Sequence, residues 1–228
     1  MRVVVPMAGK GTRTKTFSNS PKPLIPIGNH FMFEVAIQSL KVPITEFIFV
    51  VSQEHVDVYK IDDAIQSRFP DSKVIVQTSP LTGPMTSILE ASSFIDNSPL
   101  LILDCDMFNE VDLSTLFQYD IGLCVQISNN PSYSYVDMDK RLIKEKITIS
   151  DKALSGIVFW KRGTDFVKYA NASLNSSGGE FFQSSALQLA LDDGLSISLT
   201  ISSIAYDLST QEGIFEYYRD HFGEKKVF

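Results

Sequence analysis

Four short runs in the first half of the chain are apolar at nearly every position. They are VVVP at 3–6, EFIFVVS at 46–52, KVIVQT at 73–78 and PLLILD at 99–104. A strand with one face in water alternates apolar and polar side chains. A run apolar throughout needs cover on both faces, as strands have in a helix-covered parallel sheet. The intervening segments can supply that cover. FEVAIQSL at 33–40 fits a helix. Residues 56–69 carry Val58, Ile61, Ile65 and Phe69 at helical spacing. Residues 84–95 fit a helix with proline in the first turn, where its missing N–H is harmless. Strand and helix alternating at this interval predict βαβ units and an α/β fold.

The second half has another texture. Residues 121–128, 133–139 and 154–160 are strand-like, with little helix between them. Two helical stretches follow at 164–174 and 180–191, the second with Phe181, Leu187, Ala190 and Leu191 in register. A strand at 196–201 and an amphipathic helix at 210–222 come last. No repeat and no linker divides the chain. The expectation is one domain over 1–228, with halves at 1–120 and 121–228.

Composition narrows the class. Of 228 residues, 44% are hydrophobic and 21% charged, which excludes disorder over most of the length. Cys105 and Cys124 sit in apolar runs and read as buried thiols, with no zinc-like spacing. No basic stretch leads into a long apolar one at the start, so no signal peptide is expected. The longest apolar runs, such as 99–103, are too short for a bilayer. The expectation is a cytoplasmic protein without a membrane partner, and a homo-oligomer stays open. A net charge of -7 and a pI of about 5.0 argue against nucleic acid as a partner.

Against that balance, the first acidic residue is Glu34. Arg2, Lys10, Arg13, Lys15 and Lys22 all precede it. An acidic protein that binds a polyanion must gather cations locally, and this segment does. GKGTRTKTFSNSPKPL directly follows the first predicted strand, and open α/β sheets bind ligands beyond the carboxyl ends of their strands. Gly9 and Gly11 let backbone N–H groups approach an anion, Thr12 adds a hydroxyl, and Arg13 can fork onto phosphate oxygens. The spacing is not that of a Walker loop, and Thr14 breaks GxGxxG. Two glycines alone would equally suit a surface turn with solvated cations.

The pattern G-x-G-T-R followed by P-K-P-L-I-P-I-G resembles the signature of sugar-phosphate nucleotidylyltransferases, which include nucleotide-sugar pyrophosphorylases and small cytidylyltransferases. Further anchors follow in order: VQTSPLTGPMTSIL, LLILDCDMF, IKEKI and AYDLSTQEGIFEYY. Together they cover nearly the whole chain. The resemblance implies a Rossmann-like, GT-A-like three-layer sandwich with a mixed, mostly parallel sheet. It implies nucleotide binding by Ala8, Gly9, Gly11, Thr12, Gln77 and Gly83, with catalytic roles for Arg13 and Lys22. It implies Mg²⁺ on Asp106 and Asp207, and acceptor binding by Glu145, Lys146 and Glu180. The partners would be an NTP, pyrimidine favoured, and a phosphorylated small molecule.

The implied chemistry is self-consistent. The nucleophile is a phosphate oxygen with a second pKa of about 6, so no general base is needed. His30, His55 and His221 are accordingly read as structural or surface residues. What such a reaction needs is in-line positioning and charge stabilisation. Other readings stand beside these. Asp106 could be an exposed loop acid, with Asp104 the ligand of a DxD pair. Asp207 or Glu180 could cap a helix. Lys146, near Lys144, could belong to a solvated strand, and Lys10 and Lys15 could be peripheral. The sequence also departs from the family at Thr14, at Ser209 where the late motif has glycine, after Lys146 where no proline follows, and at Tyr135 where sugar-binding members often carry glycine. A GT-A-type glycosyltransferase and a catalytically inactive regulatory homologue are the alternatives.

Overall fold

The computed structural model describes residues 1–80, 82–174 and 181–223. The elements of the first half are β1 (Arg2–Pro6), β2 (Pro26–Ile27), β3 (His30–Phe31), α1 (Met32–Ile37), β4 (Glu46–Ser52), α2 (Gln53–Tyr59), α3 (Ile61–Arg68), β5 (Lys73–Gln77), α4 (Pro84–Glu90), β6 (Leu100–Leu103) and β7 (Met107–Glu110). Those of the second half are β8 (Ile121–Ile127), β9 (Ser134–Asp137), β10 (Leu142–Glu145), β11 (Lys152–Trp160), α5 (Gly163–Leu174), α6 (Gln183–Asp192), β12 (Ile197–Ile201), β13 (Ile204–Asp207) and α7 (Gln211–Phe222).

The fully apolar runs lie where their patterning demands. β5, β4, β1 and β6 are successive parallel neighbours. β11 runs antiparallel to β6, β8 and β9, β12 is parallel to β8, and β10 is antiparallel to β9. Seven of the nine strands in this sheet therefore point one way, against β10 and β11. Alternate residues of one strand enter opposite cores. Val4, Ile48 and Ile102 pack with Met85 and Ile88 of α4, Phe166 of α5 and Leu187 of α6. Val3, Val5, Phe49 and Leu101 pack with Phe33 of α1 and with Ile61 and Ile65 of α3. The result is the implied Rossmann-like three-layer arrangement.

One edge of β11 is shared, and this shapes the site. Residues 157–160 of β11 pair with β6, whereas Ala153 pairs with Tyr135 of β9. β8 occupies the opposite edge along the length of β11, with an irregularity between Leu154 and Val158. At the fork Gly156 has φ +81°, and a Cβ there would lie 3.0 Å from the Cβ of Asp104 and 3.1 Å from that of Met107. The glycine lets the chain after β6 pass close to β11.

That chain turns into a two-stranded antiparallel ribbon, β7–β13, outside the main sheet. A third core of Ile25, Ile27, Phe108, Tyr206, Leu208, Ile214 and Tyr217 packs the ribbon against α7 and the segment after Lys22. Asn109 locks it inward: its N–H donates to Ser39 Oγ and its Nδ2 to the Ser155 carbonyl, each at 2.8 Å.

The structure corrects several sequence expectations. The helix expected over 56–69 is two helices, α2 and α3, broken at Lys60 with φ +53°. The break resets the helical phase, so Val58 is 64% exposed while Ile61 and Ile65 are fully buried. The helix expected over 84–95 ends at Glu90 and passes into a 3-10 turn, Ser92–Phe94. β7, β10 and β13 were not expected as separate strands.

These burial differences predict an asymmetry. Ile61→Ala should cost about 2–5 kcal/mol through the lost side chain and the cavity left behind. Val58→Ala should change stability by less than about 0.5 kcal/mol. Urea unfolding of the two variants checks this, and equal midpoint shifts would contradict the break at Lys60.

Candidate active site

A cavity of about 580 Å³ opens where β11 forks, at the carboxyl ends of β1 and β6. Its walls are drawn from distant parts of the sequence. The loop after β1 contributes Ala8, Gly9, Lys10, Gly11, Thr12 and Arg13, with Lys22 beyond it. The turn after β6 gives Asp104, Cys105 and Asp106. The β9–β10 side gives Ser132, Tyr133, Ser134 and Glu145, and β13 ends in Asp207. Gly83, Ser87, Phe182 and Gln183 complete much of the remainder.

The opening loop folds back on itself. Gly11 has φ +58°, and its carbonyl accepts from the Thr14 N–H at 3.1 Å and the Thr14 hydroxyl at 2.9 Å. A Cβ on Gly11 would sit 3.2 Å from the Cβ of Lys22. The glycine thus permits the loop to close on the Lys22 segment. Thr14 is buried, which accounts for a small hydroxyl residue after Arg13.

Lys22 Nζ donates to Asp106 Oδ2 at 2.8 Å. Burial disfavours the Lys22 ammonium, but Asp106, with further help from Cys105 and Asp104, outweighs it and raises its pKa above the ordinary lysine value. Burial likewise works against the Asp106 carboxylate, and Lys22 overcomes it, leaving the pKa below the usual 3.8. Asp104 has no such partner. Burial, reinforced by Asp106, pushes its carboxyl up to about 7.

The ribbon brings the two aspartates together from positions a hundred residues apart in sequence. Asp207 lies opposite Met107 in the β7–β13 register, and the Leu208 N–H donates to the Asp106 carbonyl at 2.9 Å. Arg13 Nη1 lies 3.8 Å from Asp207 Oδ2. Two carboxylates beside a cavity with room for substrate oxygens suit Mg²⁺, a hard cation that commonly takes one or two carboxylates plus phosphate oxygens. Among the described residues, no group of three or more His, Cys, Asp or Glu could hold a metal by itself. The donor set therefore fits a cation shared with substrate.

Of the residues singled out in the sequence, Ala8, Gly9, Gly11, Thr12, Arg13, Lys22, Gly83, Asp106, Glu145 and Asp207 line this one cavity. Gln77 does not. Its Oε1 accepts from Ser87 Oγ at 2.6 Å, and Ser87 is the one that reaches the cavity. Lys146 is set back as well: its N–H donates to the Tyr133 carbonyl at 3.1 Å, and its Nζ lies 4.4 Å from the centre of the Phe182 ring. Glu180 lies outside the described residues. Tyr135 is fully buried and donates to the Asn130 carbonyl, so the residues facing the cavity on that strand are its neighbours Tyr133 and Ser134. The three histidines lie elsewhere. His55 is buried beside the Ser52 cap, His30 is near Glu34, and His221 stacks on Tyr217. Sequence reasoning missed Tyr133 and Ser132, whose surroundings carry no motif, and Ser87, which lies inside the VQTSPLTGPMTSIL stretch but was not singled out there. Ser209 had been visible as a departure from the family pattern.

Comparison with known proteins fits this geometry. Residues 3–118, just over half of the chain, match the family model of the MobA-like NTP transferase domain. The chain belongs to this family. It is therefore a nucleotidyltransferase, and the matched span runs from β1 to the end of the 3-10 helix Leu113–Gln118. The fold of this NTP transferase is similar to that of a nucleoside-diphosphate-sugar pyrophosphorylase from Vibrio cholerae RC9, with a TM-score of 0.79 at 18% identity, over 95% of this chain and 99% of that one. It is similar also to the inositol-1-phosphate CTP transferase from T. maritima, with a TM-score of 0.73 at 13% identity, over 96% of each chain. The UTP-bound UGPase from Acinetobacter baumannii gives 0.72 at 16% identity, over 97% of this chain and 94% of that one. At these identities the likeness is one of fold. Among curated proteins, no sequence matches significantly. Among the described residues, no helix is long and apolar enough to cross a membrane.

Lys22→Met should expose the electrostatics of this cavity. Without the ammonium, burial governs both carboxyls, and the Asp106 pKa should rise. The wild-type pair stabilises the fold fully above the unfolded carboxylate value of 3.8, and that contribution fades as pH falls through the lower folded value. The variant should be less stable by about 3 kcal/mol at neutral pH, because it leaves a largely buried carboxylate without its partner. The deficit should shrink as acid neutralises the carboxyls. Urea midpoints against pH, with carboxyl NMR titration, check both the size and the sign.

Proposed function

We propose that this enzyme joins an NTP, with a pyrimidine base favoured, to a phosphorylated small molecule such as a sugar 1-phosphate. The reaction is Mg²⁺-dependent, releases pyrophosphate, and gives an NDP-sugar or CDP-activated metabolite. In it an acceptor phosphate oxygen bonds to the α-phosphorus as the bond to the pyrophosphate oxygen breaks. The observation that carries this reading is the meeting of the Gly9–Arg13 loop, the Lys22–Asp106 pair and Asp207 in one cavity. We assign it to the cytoplasm, in nucleotide-sugar supply for polysaccharide synthesis.

Each group has work suited to its chemistry. The loop amides of Gly9 and Gly11 and the Thr12 hydroxyl cradle the triphosphate. Arg13, whose side chain is 58% exposed, is free to turn from Asp207 toward the departing pyrophosphate. Lys22 lies between the two phosphates and offsets their mutual repulsion. Asp106 and Asp207 would hold Mg²⁺, which when bound neutralises charge on the phosphates and the leaving group. Gln77 bears on the base through Ser87. Glu145, fixed by the hydroxyls of Ser134 and Ser184, lines the cavity and would bind the acceptor; Lys146 and Glu180 are the further acceptor-binding residues of this reading.

The test is pyrophosphate release, crossing each NTP with sugar 1-phosphates, phosphocholine-like compounds and phosphonates. One productive pair is expected, and its activity should disappear on chelating Mg²⁺. Asp106→Asn and Lys22→Ala should each lower kcat/KM about a hundredfold or more, in line with loss of a charge-stabilising group. Near-normal turnover in both variants would sink the site assignment. A glycosyltransferase would release no pyrophosphate, and an inactive homologue would fail with every pair.

A further inference from the structure

The two aspartates are held very differently. Among the described residues, the Asp106 carboxylate takes one side-chain hydrogen bond, from Lys22. Asp207 is enclosed. Its Oδ1 accepts from the Ser209 N–H at 3.0 Å and the Ser209 hydroxyl at 2.5 Å. Its Oδ2 accepts from the Tyr133 hydroxyl at 3.0 Å, with Arg13 Nη1 further off at 3.8 Å. Its main chain is pinned as well. The Asp207 carbonyl accepts from the Thr210 N–H and hydroxyl, and Gly213 of α7 packs against that carbonyl where a Cβ would fall at 2.1 Å.

A carboxylate offers about four accepting positions, two on each oxygen. Ser209 fills those of Oδ1. Oδ2 has one close partner, a neutral hydroxyl, and so keeps accepting capacity for a cation. A fixed ligand loses less freedom on binding a metal than a mobile one. Hydrogen bonds to a ligand's other lone pairs set its orientation and its share of charge.

Tyr133 belongs to the opposite wall. It directly precedes β9, and its carbonyl accepts from the Lys146 N–H at the end of β10. Its neighbour Ser134 donates to Glu145. We propose that Tyr133 and Ser209 are positioning residues, which orient the Asp207 carboxylate for a divalent cation, and that Tyr133 links this carboxylate to the acceptor wall. The proposal rests on Asp207 being a metal ligand. It assigns a purpose to the serine that stands in the late motif in place of glycine.

Mn²⁺ is a suitable probe because its free form is read directly by EPR, independently of turnover. Because the cation is shared with substrate, the wild-type protein is titrated in the presence of a fixed concentration of an NTP analogue that cannot be cleaved between its α- and β-phosphates, beside Asp207→Asn, Tyr133→Phe and Ser209→Ala under the same conditions. Tyr133→Phe and Ser209→Ala should each weaken Mn²⁺ binding about tenfold, the size usual for a lost partner of a metal ligand. The Mg²⁺ concentration giving half-maximal pyrophosphate release should rise by a similar factor. If Tyr133→Phe does not fold, Ser209→Ala carries the test. Mn²⁺ affinity equal to wild type in the folded variants, with Asp207→Asn impaired, overturns the positioning role alone. Equal affinity in wild type and Asp207→Asn overturns the metal assignment, and the proposal with it.

Discussion

One edge of strand β11 serves two partners, while β8 takes the other edge. β6 takes the outer half and β9 the inner, and neither covers Gly156 between them. A sheet interrupted in this way leaves an opening beside the strand, and the Ser155 and Gly156 carbonyls there take partners from outside the ladder, Asn109 Nδ2 and the Asp104 N–H. The cavity is that opening. Asp104 hydrogen-bonds to the Gly156 carbonyl at 2.8 Å, which ties the turn after β6 to the fork. The loop after β1, the acidic turn after β6 and the segment leading into β9 meet because β1 and β6 end at the fork and β9, offset along β11, begins there.

The charges in the cavity follow from that geometry. Asp104, Asp106, Glu145 and Asp207 are gathered in one partly buried space with Lys10, Arg13 and Lys22. Acids at such range raise one another's pKa unless cations intervene. Lys22 satisfies Asp106, and Asp104 remains the strained member, with its carboxyl pushed up to about 7. The acid-free opening of the chain then has a physical reason. Any carboxylate in this loop would add to an existing surplus of acids just where a triphosphate has to be accommodated. The absence of acids from residues 1–33 and the concentration of acids in the turn after β6 are two sides of one electrostatic problem.

Much of the fold could be read from the sequence because it depends on burial. Strands covered on both faces are apolar throughout, and β1, β4, β5 and β6 lie within a residue or two of where those runs stand. What escaped has no such signature. Lys60 adopts a left-handed conformation without being Gly or Asn, so nothing marked the break between α2 and α3. β7 and β13, MFNE and IAYD, form a two-stranded ribbon outside the sheet and have neither continuous apolarity nor strict alternation. The site divides in the same way. Gly9, Gly11, Thr12, Arg13 and Lys22 are close in sequence because they form one loop, and so they make a motif. Tyr133 meets Asp207 across 74 positions through tertiary structure alone.

The ribbon resolves an apparent conflict in the second half of the chain. The family model matches residues 3–118 and stops before β8. Yet the second aspartate of the site comes from beyond that limit. β13 returns from the far side of the sheet to pair with β7, directly after Asp106, so the metal-side chemistry is closed by a segment that follows the acceptor wall in sequence. A change in that wall is therefore felt at Asp207 through Tyr133, and a change at Asp207 is felt in the wall. On the proposed reading, an acceptor pocket in this architecture would not vary independently of Asp106 and Asp207. Ser209 and Tyr133 hold the two oxygens of one carboxylate, so the departure at Ser209 and the strand that carries Tyr135 are joined through Asp207.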